Sequence, residues 1–355
     1  MNKKIKISKY QILVDILTNS SWACKKNAIS AIMDHYFEPA YLKSQPLFLQ
    51  IEPTTHCNLT CQTCWNPNRN NKSHLSFENF IKIIEQFPFI RKINLVGMGE
   101  PLLNPELTKM INMLRDKNIA VGIASNGMFL TEEKSRKLLE AGISWINISI
   151  DSSDEIQFQK LRPGADIKLI IQQFKTFLSL KRESGYKVET GIATVIGTHN
   201  LNCLESIIEL AAELEVDKLF LQTIHFWGNN KFKNEWTDQS LVQNAHQFKY
   251  QLRNAKQKAN QLGLKFILEN TPDTACPRFC KWPWKSAYIT AEGYVTPCCM
   301  HGANPDTINF GNILQESFTT IWNNHSYQEF RRQLKSPNPP DICRDCPSYY
   351  KPIRL

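Results

Sequence analysis

The sequence lacks long apolar runs, and no stretch reaches the roughly 20 apolar residues that a membrane-spanning helix needs. Its basic start, Met1 to Lys9, gives way to a run around Asp15 that is too polar and too short for a signal peptide. Lysine and arginine are scattered along the chain rather than blocked, although the net charge is +9. We therefore expect no membrane association and no nucleic acid as a partner.

Internal repeats and low-complexity linkers are also absent from the sequence. The 355 residues, 42% of them hydrophobic, suffice for one large domain and a smaller one. We expect a helical N-terminal extension at 1–45, the main domain at 46–265 and a cysteine-rich domain at 266–355. The 11 cysteines are grouped like metal ligands rather than like a secreted disulfide framework. This grouping predicts a reducing compartment, the cytoplasm.

From residue 46 onward, strand-like and helix-like runs alternate. Six runs have the length and composition of buried strands: Phe48–Ile51, Lys92–Val96, Ala120–Ala124, Trp145–Ile150, Val188–Ile196 and Lys218–Thr223. Repeated strand–helix units favour parallel strands. They predict an α/β fold, a partial (β/α)6 barrel like a TIM barrel with a small C-terminal cysteine-rich domain. A final helix is expected at Asp238–Leu262, where apolar residues recur at helical spacing.

Three cysteines follow the first of these strands in the order Cys57-x3-Cys61-x2-Cys64. Three thiolates on one short loop can bind three irons of a cubane iron–sulfur cluster and leave the fourth iron without a protein ligand. An open metal position is typical of reactive sites, and here it could bind a small molecule through N and O donors. The alternative is a structural zinc site with a remote fourth ligand, although such sites favour C-x2-C pairs.

This cysteine spacing resembles the motif of the radical S-adenosylmethionine (radical SAM) family. The resemblance implies that the open iron chelates SAM and that the reduced cluster cleaves it to a 5′-deoxyadenosyl radical, which removes a hydrogen atom from substrate. The stretch Gly97-Met98-Gly99-Glu100-Pro101, after the second strand, is similar to the family's GGE motif, with Met98 in place of the middle glycine. The resemblance implies that Gly97, Gly99 and Glu100 contact the SAM amino group.

Polar residues also follow the next two strands, at the end of a parallel barrel where chemistry occurs. Ser125 and Asn126 suit a contact with a ribose or a carboxylate, with loop capping as the alternative. On the fourth strand, Ser149 and Asp151 alternate with isoleucines and share one face. The family resemblance implies that these two residues hold the SAM ribose. It also implies that the guanidinium fork of Arg162 binds the SAM carboxylate, with an ordinary surface arginine as the alternative.

The C-terminal cysteines resemble a second known pattern. Cys280-x12-Gly293-x4-Cys298 and the ending Cys343-x2-Cys346-Pro347 are similar to the SPASM extension of many radical SAM enzymes. A full SPASM domain carries more cysteines after the last pair and binds two auxiliary clusters. The resemblance therefore implies the shorter twitch form with one auxiliary [4Fe–4S] cluster.

The expected ligands of that auxiliary cluster are Cys280, Cys298, Cys343 and Cys346. Four thiolates would close the cluster, which suits electron transfer or a structural role rather than SAM binding. Either Cys276 or Cys299 could replace one of these ligands. A zinc site with four cysteines is the alternative.

The resemblance specifies radical initiation well and the substrate poorly. We expect oxidation or epimerisation of a small molecule such as a sugar or an aminocyclitol. The alternatives are maturation of a ribosomally made peptide or protein and, from another class, a zinc-bound structural or binding module. Asp273 is the candidate general base, from its position before Cys276. A low-potential electron donor such as flavodoxin or ferredoxin is implied.

Overall fold

The central element of the fold is a nine-stranded, mostly parallel sheet. A computed structural model describes residues 21–64, 72–224, 248–269, 272–273, 280–300, 303–344, 346–349 and 351–352. In chain order the strands are β1 (Phe48–Ile51), β2 (Lys92–Leu95), β3 (Ala120–Ser125), β4 (Trp145–Ser149), β5 (Glu189–Ile196), β6 (Lys218–Thr223), β7 (Lys265–Glu269), β8 (Pro272–Asp273), β9 (Ser286–Ile289), β10 (Val295–Thr296) and β11 (Lys351–Pro352). The large sheet has the order β10-β9-β1-β2-β3-β4-β5-β6-β7, and β8 pairs separately with β11.

The six predicted strands are confirmed, in the predicted order and parallel to one another. The sheet extends beyond them at both edges. Strand β7 continues it in parallel beside β6. On the other side β9 pairs in parallel with β1, and β10 pairs antiparallel with β9. Strands from both sides of residue 265 join this one sheet, so the sheet does not test a domain boundary at that residue. The three-part division of the chain therefore stays a prediction.

Helices connect most of the strands and bury their apolar faces against the sheet. They are α1 (Trp22–Phe37), α2 (Phe77–Ile84), α3 (Leu107–Asp116), α4 (Glu132–Ala141), α5 (Glu155–Leu161), α6 (Ile167–Glu183), α7 (Leu204–Glu213), α8 (Lys249–Gln261), α9 (Phe318–Trp322), α10 (His325–Lys335) and α11 (Asp341–Arg344). The predicted helix at Asp238–Leu262 is confirmed in its second half by α8, and its first half lies outside the described residues. Among the helices described, none is long and apolar enough to cross a membrane.

The C-terminal region is joined to the main body by a buried arginine on α10. The guanidinium of Arg331 donates to the carbonyl oxygens of Pro283, Ala40 and Trp322 at 2.8–3.0 Å. It also lies 4.4 Å from the ring centroid of Trp322 and 4.1 Å from that of Tyr327. Burial lowers the pKa of Arg331 to about 10. One side chain thus connects the segment after α1, the turn before β9 and α10.

Candidate functional site

A cavity of about 2060 Å³ lies inside the curved sheet. Parallel strands end at the same edge of a sheet, so the loops that follow them meet at one mouth. Cys57, Cys61 and Cys64 line the cavity after β1, Glu100 lines it after β2, and Arg162 follows α5. The structure therefore brings together residues that are up to 105 positions apart in the sequence (162 minus 57).

The cysteine loop is held in place by backbone hydrogen bonds. The N–H of Cys64 donates to the carbonyl of Cys61 at 3.1 Å, and the N–H of Gln62 donates to the carbonyl of Leu161 at 3.0 Å. Burial raises the pKa of the Cys57 and Cys61 thiols. Three half-buried thiols on one loop, lining a cavity, fit an iron–sulfur cluster, because bound iron offsets the cost of partly burying thiolates.

Gly97 and Gly99 are required by the close approach of two loops. A Cβ at Gly97 would overlap the side chain of Glu52, and a Cβ at Gly99 would overlap the backbone carbonyl of Thr54. Both glycines also line the cavity. Sequence interpretation missed this packing role, since each contacted residue lies 45 positions earlier in the chain (97 minus 52 and 99 minus 54). The predicted contact of the two glycines with SAM stays a prediction.

Replacing Gly99 by alanine is expected to lower the free energy of unfolding by about 1–3 kcal/mol, because the new methyl group meets a backbone oxygen that cannot turn away. Urea unfolding of the apoprotein measures this loss. The control is Ser184→Ala, at an exposed position after α6, which should stay within about 0.5 kcal/mol of wild type. A Gly99→Ala protein as stable as wild type would show that the two loops are not in contact.

Glu100 is buried, and its carboxylate connects two loops. Its oxygens accept hydrogen bonds from the N–H of Leu102 at 3.0 Å, the hydroxyl of Ser125 at 2.8 Å and the N–H of Asn126 at 2.7 Å. Burial raises the pKa of this carboxyl group. Asn126 in turn donates from Nδ2 to Oδ1 of Asn58, on the cysteine loop, at 2.9 Å. Glu100, Ser125 and Asn126 therefore form one network, while their direct contact with SAM stays a prediction.

Asp151 and Arg162, predicted to contact different parts of SAM, form a buried ion pair. Nε of Arg162 lies 2.7 Å from Oδ2 of Asp151, and the two side chains are only 12% and 6% exposed. The other oxygen of Asp151 accepts from the N–H of Val195 at 2.8 Å. Burial opposes the charge on Arg162, but the negative groups of Asp151 and Cys61 outweigh it and raise the pKa of the guanidinium. Ser149, at the end of β4, faces the cavity.

The four predicted auxiliary ligands lie near one another in the C-terminal region. The N–H of Cys346 donates to the carbonyl of Cys343 at 3.2 Å. Burial, followed by the charges of Cys298 and Cys280, raises the pKa of both of these thiols. Among the described residues, no three His, Cys, Asp or Glu side chains are grouped tightly enough to bind a single metal ion. Cys276 lies outside the described residues.

Cys298 and its neighbour Cys299 have different surroundings. Cys299 lines the large cavity, which Cys298 does not. Burial raises the pKa of the Cys299 thiol well above its ordinary value, and Cys298, Glu269 and Cys346 add to this effect. Asp273, the candidate base, lies in β8, where it pairs with Lys351. Its role stays a prediction, and Cys299 and Glu269 are cavity residues that sequence interpretation did not place there.

Comparison with known proteins agrees with this architecture. The family model of the radical SAM superfamily matches residues 51–211, and that of SPASM, an iron–sulfur cluster-binding domain, matches residues 280–347. SuiB of Streptococcus suis is similar in structure with a TM-score of 0.69 at 16% identity, over 96% of this chain and 81% of that chain. SuiB was also solved bound to the precursor peptide SuiA, with a TM-score of 0.67 at 16% identity over 94% of this chain and 76% of that one.

A second relative, anSMEcpe with bound AdoMet, has a TM-score of 0.62 at 19% identity, over 85% of this chain and 86% of that chain. The same protein with AdoMet and the Cp18Cys peptide has a TM-score of 0.58 at 18% identity, over 85% and 86% of the two chains. At these identities the likeness shows a shared fold. The two family models show a radical SAM domain over residues 51–211 and a C-terminal SPASM iron–sulfur cluster-binding domain over residues 280–347.

Proposed function

We propose that Cys57, Cys61 and Cys64 bind a [4Fe–4S] cluster whose fourth iron chelates SAM. When bound and reduced, this cluster supplies an electron that cleaves SAM to a 5′-deoxyadenosyl radical, which takes a hydrogen atom from substrate. One observation carries this proposal. The three thiols, Glu100 and Arg162 line the same cavity, so a cluster and a charged cofactor fit side by side within it.

The residues around the cysteine loop would orient the cofactor. The backbone at Gly97 and Gly99 lies at the cavity surface and is positioned by the buried network of Glu100 with Ser125. Arg162 stays charged in its pair with Asp151 and suits the SAM carboxylate. Ser149 and Asp151 are proposed to contact the ribose, and Ser125 and Asn126 to complete that pocket.

The second metal site is proposed to be one auxiliary [4Fe–4S] cluster. Its ligands would be Cys280, Cys298, Cys343 and Cys346, which act on one another electrostatically. Four thiolates leave no iron open, so this cluster would transfer electrons. A flavodoxin or ferredoxin in the cytoplasm is the proposed electron donor, because such clusters need a low-potential reductant and a reducing compartment.

The proposed reaction is oxidation or epimerisation of a small molecule such as a sugar or an aminocyclitol. Support comes from the uncharged polar side chains along the cavity wall. Gln50, Asn94, Asn147, Ser149 and Gln222 line it. Oδ1 of Asn94 and Oδ1 of Asn147 are buried with no hydrogen-bond partner in the part of the chain that is described. Such acceptors favour a ligand with several hydroxyl or amine groups.

A ribosomally made peptide or a protein is the second candidate substrate. The cavity, at about 2060 Å³, is larger than the roughly 300–1,000 Å³ that a small ligand fills. Part of this volume would be taken up by the cluster and SAM. SuiB binds a precursor peptide and anSMEcpe binds the Cp18Cys peptide, which supports this candidate by likeness of fold alone.

Anaerobic reconstitution followed by metal analysis is expected to give about eight irons and about eight sulfides per chain, the content of two cubane clusters. Addition of SAM and a low-potential reductant should then produce 5′-deoxyadenosine. Zinc without iron would contradict the proposal and support the structural zinc module instead. A content of about four irons per chain would mean that the protein binds only one of the two proposed clusters, and cysteine variants would show which one.

A further inference from the structure

The floor of the cavity lies at the N-terminal ends of the strands, opposite the cysteine loop, and is lined by basic side chains. We propose that the substrate ends in an anionic oxygen group, a phosphate or a carboxylate, which Trp145, Lys92 and Lys218 bind at this floor. The inference rests on the proposed function. It narrows the proposed sugar or aminocyclitol to one that carries a negatively charged group.

Positive charge is in excess at the cavity floor. Glu189 pairs with Lys218 at 2.6 Å and with Lys265 at 3.3 Å. Asp217 pairs with Lys181 at 3.1 Å. Against these two acids, six lysines from this end of the sheet line the cavity: Lys92, Lys181, Lys187, Lys218, Lys265 and Lys285. Six minus two leaves four positive charges, and the low-dielectric walls of a cleft strengthen their attraction for an anion.

The indole of Trp145 lies among these lysines and has an unused donor. The residue is 8% exposed and lines the cavity, and its Nε1 atom has no hydrogen-bond partner in the described part of the chain. Nζ of Lys218 lies 5.3 Å from the ring centroid, and Nζ of Lys92 lies 5.8 Å from it. An indole N–H and a lysine ammonium group can only donate hydrogen bonds. A negatively charged acceptor is therefore the ligand group that fits between them.

Gly122, on β3, lets the indole lie close against the neighbouring strand. A Cβ at this position would overlap ring atoms of Trp145, including Nε1. Gly122 pairs with Trp145 on one side and with Asn94 on the other. The unused Nε1 donor is thus held over β3, beside the position of Asn94, inside the cavity.

Acceptors lie further along the same two strands, towards the SAM end. Asn94 is two residues beyond Lys92 on β2, and Asn147 is two residues beyond Trp145 on β4. Oδ1 of each asparagine is buried without a partner among the described residues. Such acceptors favour a hydroxyl or an amine. The wall therefore offers donors to an anionic end of the ligand at the floor and acceptors to hydroxyl or amine groups above it.

The distance from the floor to the SAM end suits one small molecule. Trp145, Asn147 and Ser149 alternate with buried isoleucines along β4, and all three line the cavity. At about 3.3 Å per residue, the four steps from Trp145 to Ser149 span about 13 Å. Ser149 is the residue proposed to contact the SAM ribose. A sugar-sized molecule with a terminal phosphate or carboxylate thus reaches from the floor to the site of the radical.

The test measures binding without turnover. Isothermal titration calorimetry on the anaerobic, unreduced holoenzyme, saturated with SAM so that the SAM carboxylate site is filled, compares glucose, glucose 6-phosphate and glucuronate. We expect at least one of the two anions to bind at least tenfold more tightly than glucose, and the tighter one identifies phosphate or carboxylate. Lys218→Met should weaken that binding at least tenfold, whereas Lys218→Arg, which keeps the charge, should stay within threefold. Trp145→Phe, which removes the indole N–H, should weaken it at least threefold.

A lysine in another ion pair provides the matched control. Lys175 pairs with Glu213 at 2.9 Å on the exposed side of α6, outside the cavity, so Lys175→Met should bind the anion like wild type. Equal affinity for the three probes, or a Lys218→Met protein that binds the anion like wild type, would overturn the proposal. If Lys218→Met fails to take up iron, Trp145→Phe decides by the same criterion. Wild-type protein without iron, or without 5′-deoxyadenosine after reduction, would instead overturn the proposed function.

Discussion

Replacing Cys57, Cys61 and Cys64 together by alanine is expected to abolish the formation of 5′-deoxyadenosine from SAM. Removing all three thiols removes the cluster site itself, so the rate should fall by at least about a thousandfold. The proposed auxiliary ligands lie in the C-terminal region and are unchanged. Iron should therefore fall from about eight to about four per chain, with matching sulfide. Metal analysis and chromatography of the SAM products measure both effects.

The matched control changes two cysteines that line neither the cavity nor the auxiliary site. Cys24 lies on α1 and Cys203 precedes α7. Their double alanine variant should keep its iron and its SAM cleavage. If the triple variant still produced 5′-deoxyadenosine, or lost all of its iron, the assignment of the two cluster sites would be wrong.

Asp151→Ala is expected to destabilise the protein by about 3–5 kcal/mol, because it leaves the buried Arg162 charge without its partner. The change also removes the acceptor for the Val195 N–H. Urea unfolding of the apoprotein measures the loss without the clusters. The same variant should bind SAM weakly when reconstituted, since Arg162 would no longer be held in place.

An exposed ion pair provides the control for this charge effect. Arg115 and Asp116 form a pair with side chains 46% and 67% exposed. Exposed pairs contribute about 0–1 kcal/mol, so Asp116→Ala should change stability little. Equal effects of the two substitutions would mean that Asp151 and Arg162 are not buried together.

The sheet was predictable because its strands carry a local signal. Buried parallel strands are short apolar runs, and β9, which is buried along its whole length, is of the same kind. What the sequence could not supply was their partners. Ser286–Ile289 pairs with β1 although more than 230 residues separate them (286 minus 51 is 235). Such pairing is decided by the closure of the whole sheet, which leaves no trace in local periodicity.

The residues of the candidate site that belong to a chemical motif were predictable from the sequence. The residues that are required there by packing were not. The cysteine spacings and Glu100 were visible in the sequence. The reason for a glycine at position 99 was not visible there. It is the close approach of the Thr54 carbonyl, which a Cβ would overlap, and not a contact with a ligand. Glu52 was missed as well. This carboxylate has no exposed surface, and it accepts from the N–H of Met98 at 2.8 Å and of Ala291 at 3.3 Å.

The cavity position of Cys299 has a similar explanation. In the sequence Cys276 and Cys299 were both left over from the cluster motif, and Cys276 was the stronger candidate to replace a ligand. The structure places Cys299 on the wall of the large cavity, which Cys298 does not line. Contacts of this kind depend on the curvature of a sheet, so a structure was needed to find them.

The most direct test of the account is electron paramagnetic resonance on a variant that keeps only the N-terminal cluster. Cys343→Ala with Cys346→Ala should remove the auxiliary cluster and leave about four irons per chain. After reduction, we predict a [4Fe–4S]⁺ signal whose shape changes when SAM is added, because SAM binds the iron that lacks a protein ligand. A signal that saturating SAM leaves unchanged would contradict the central claim.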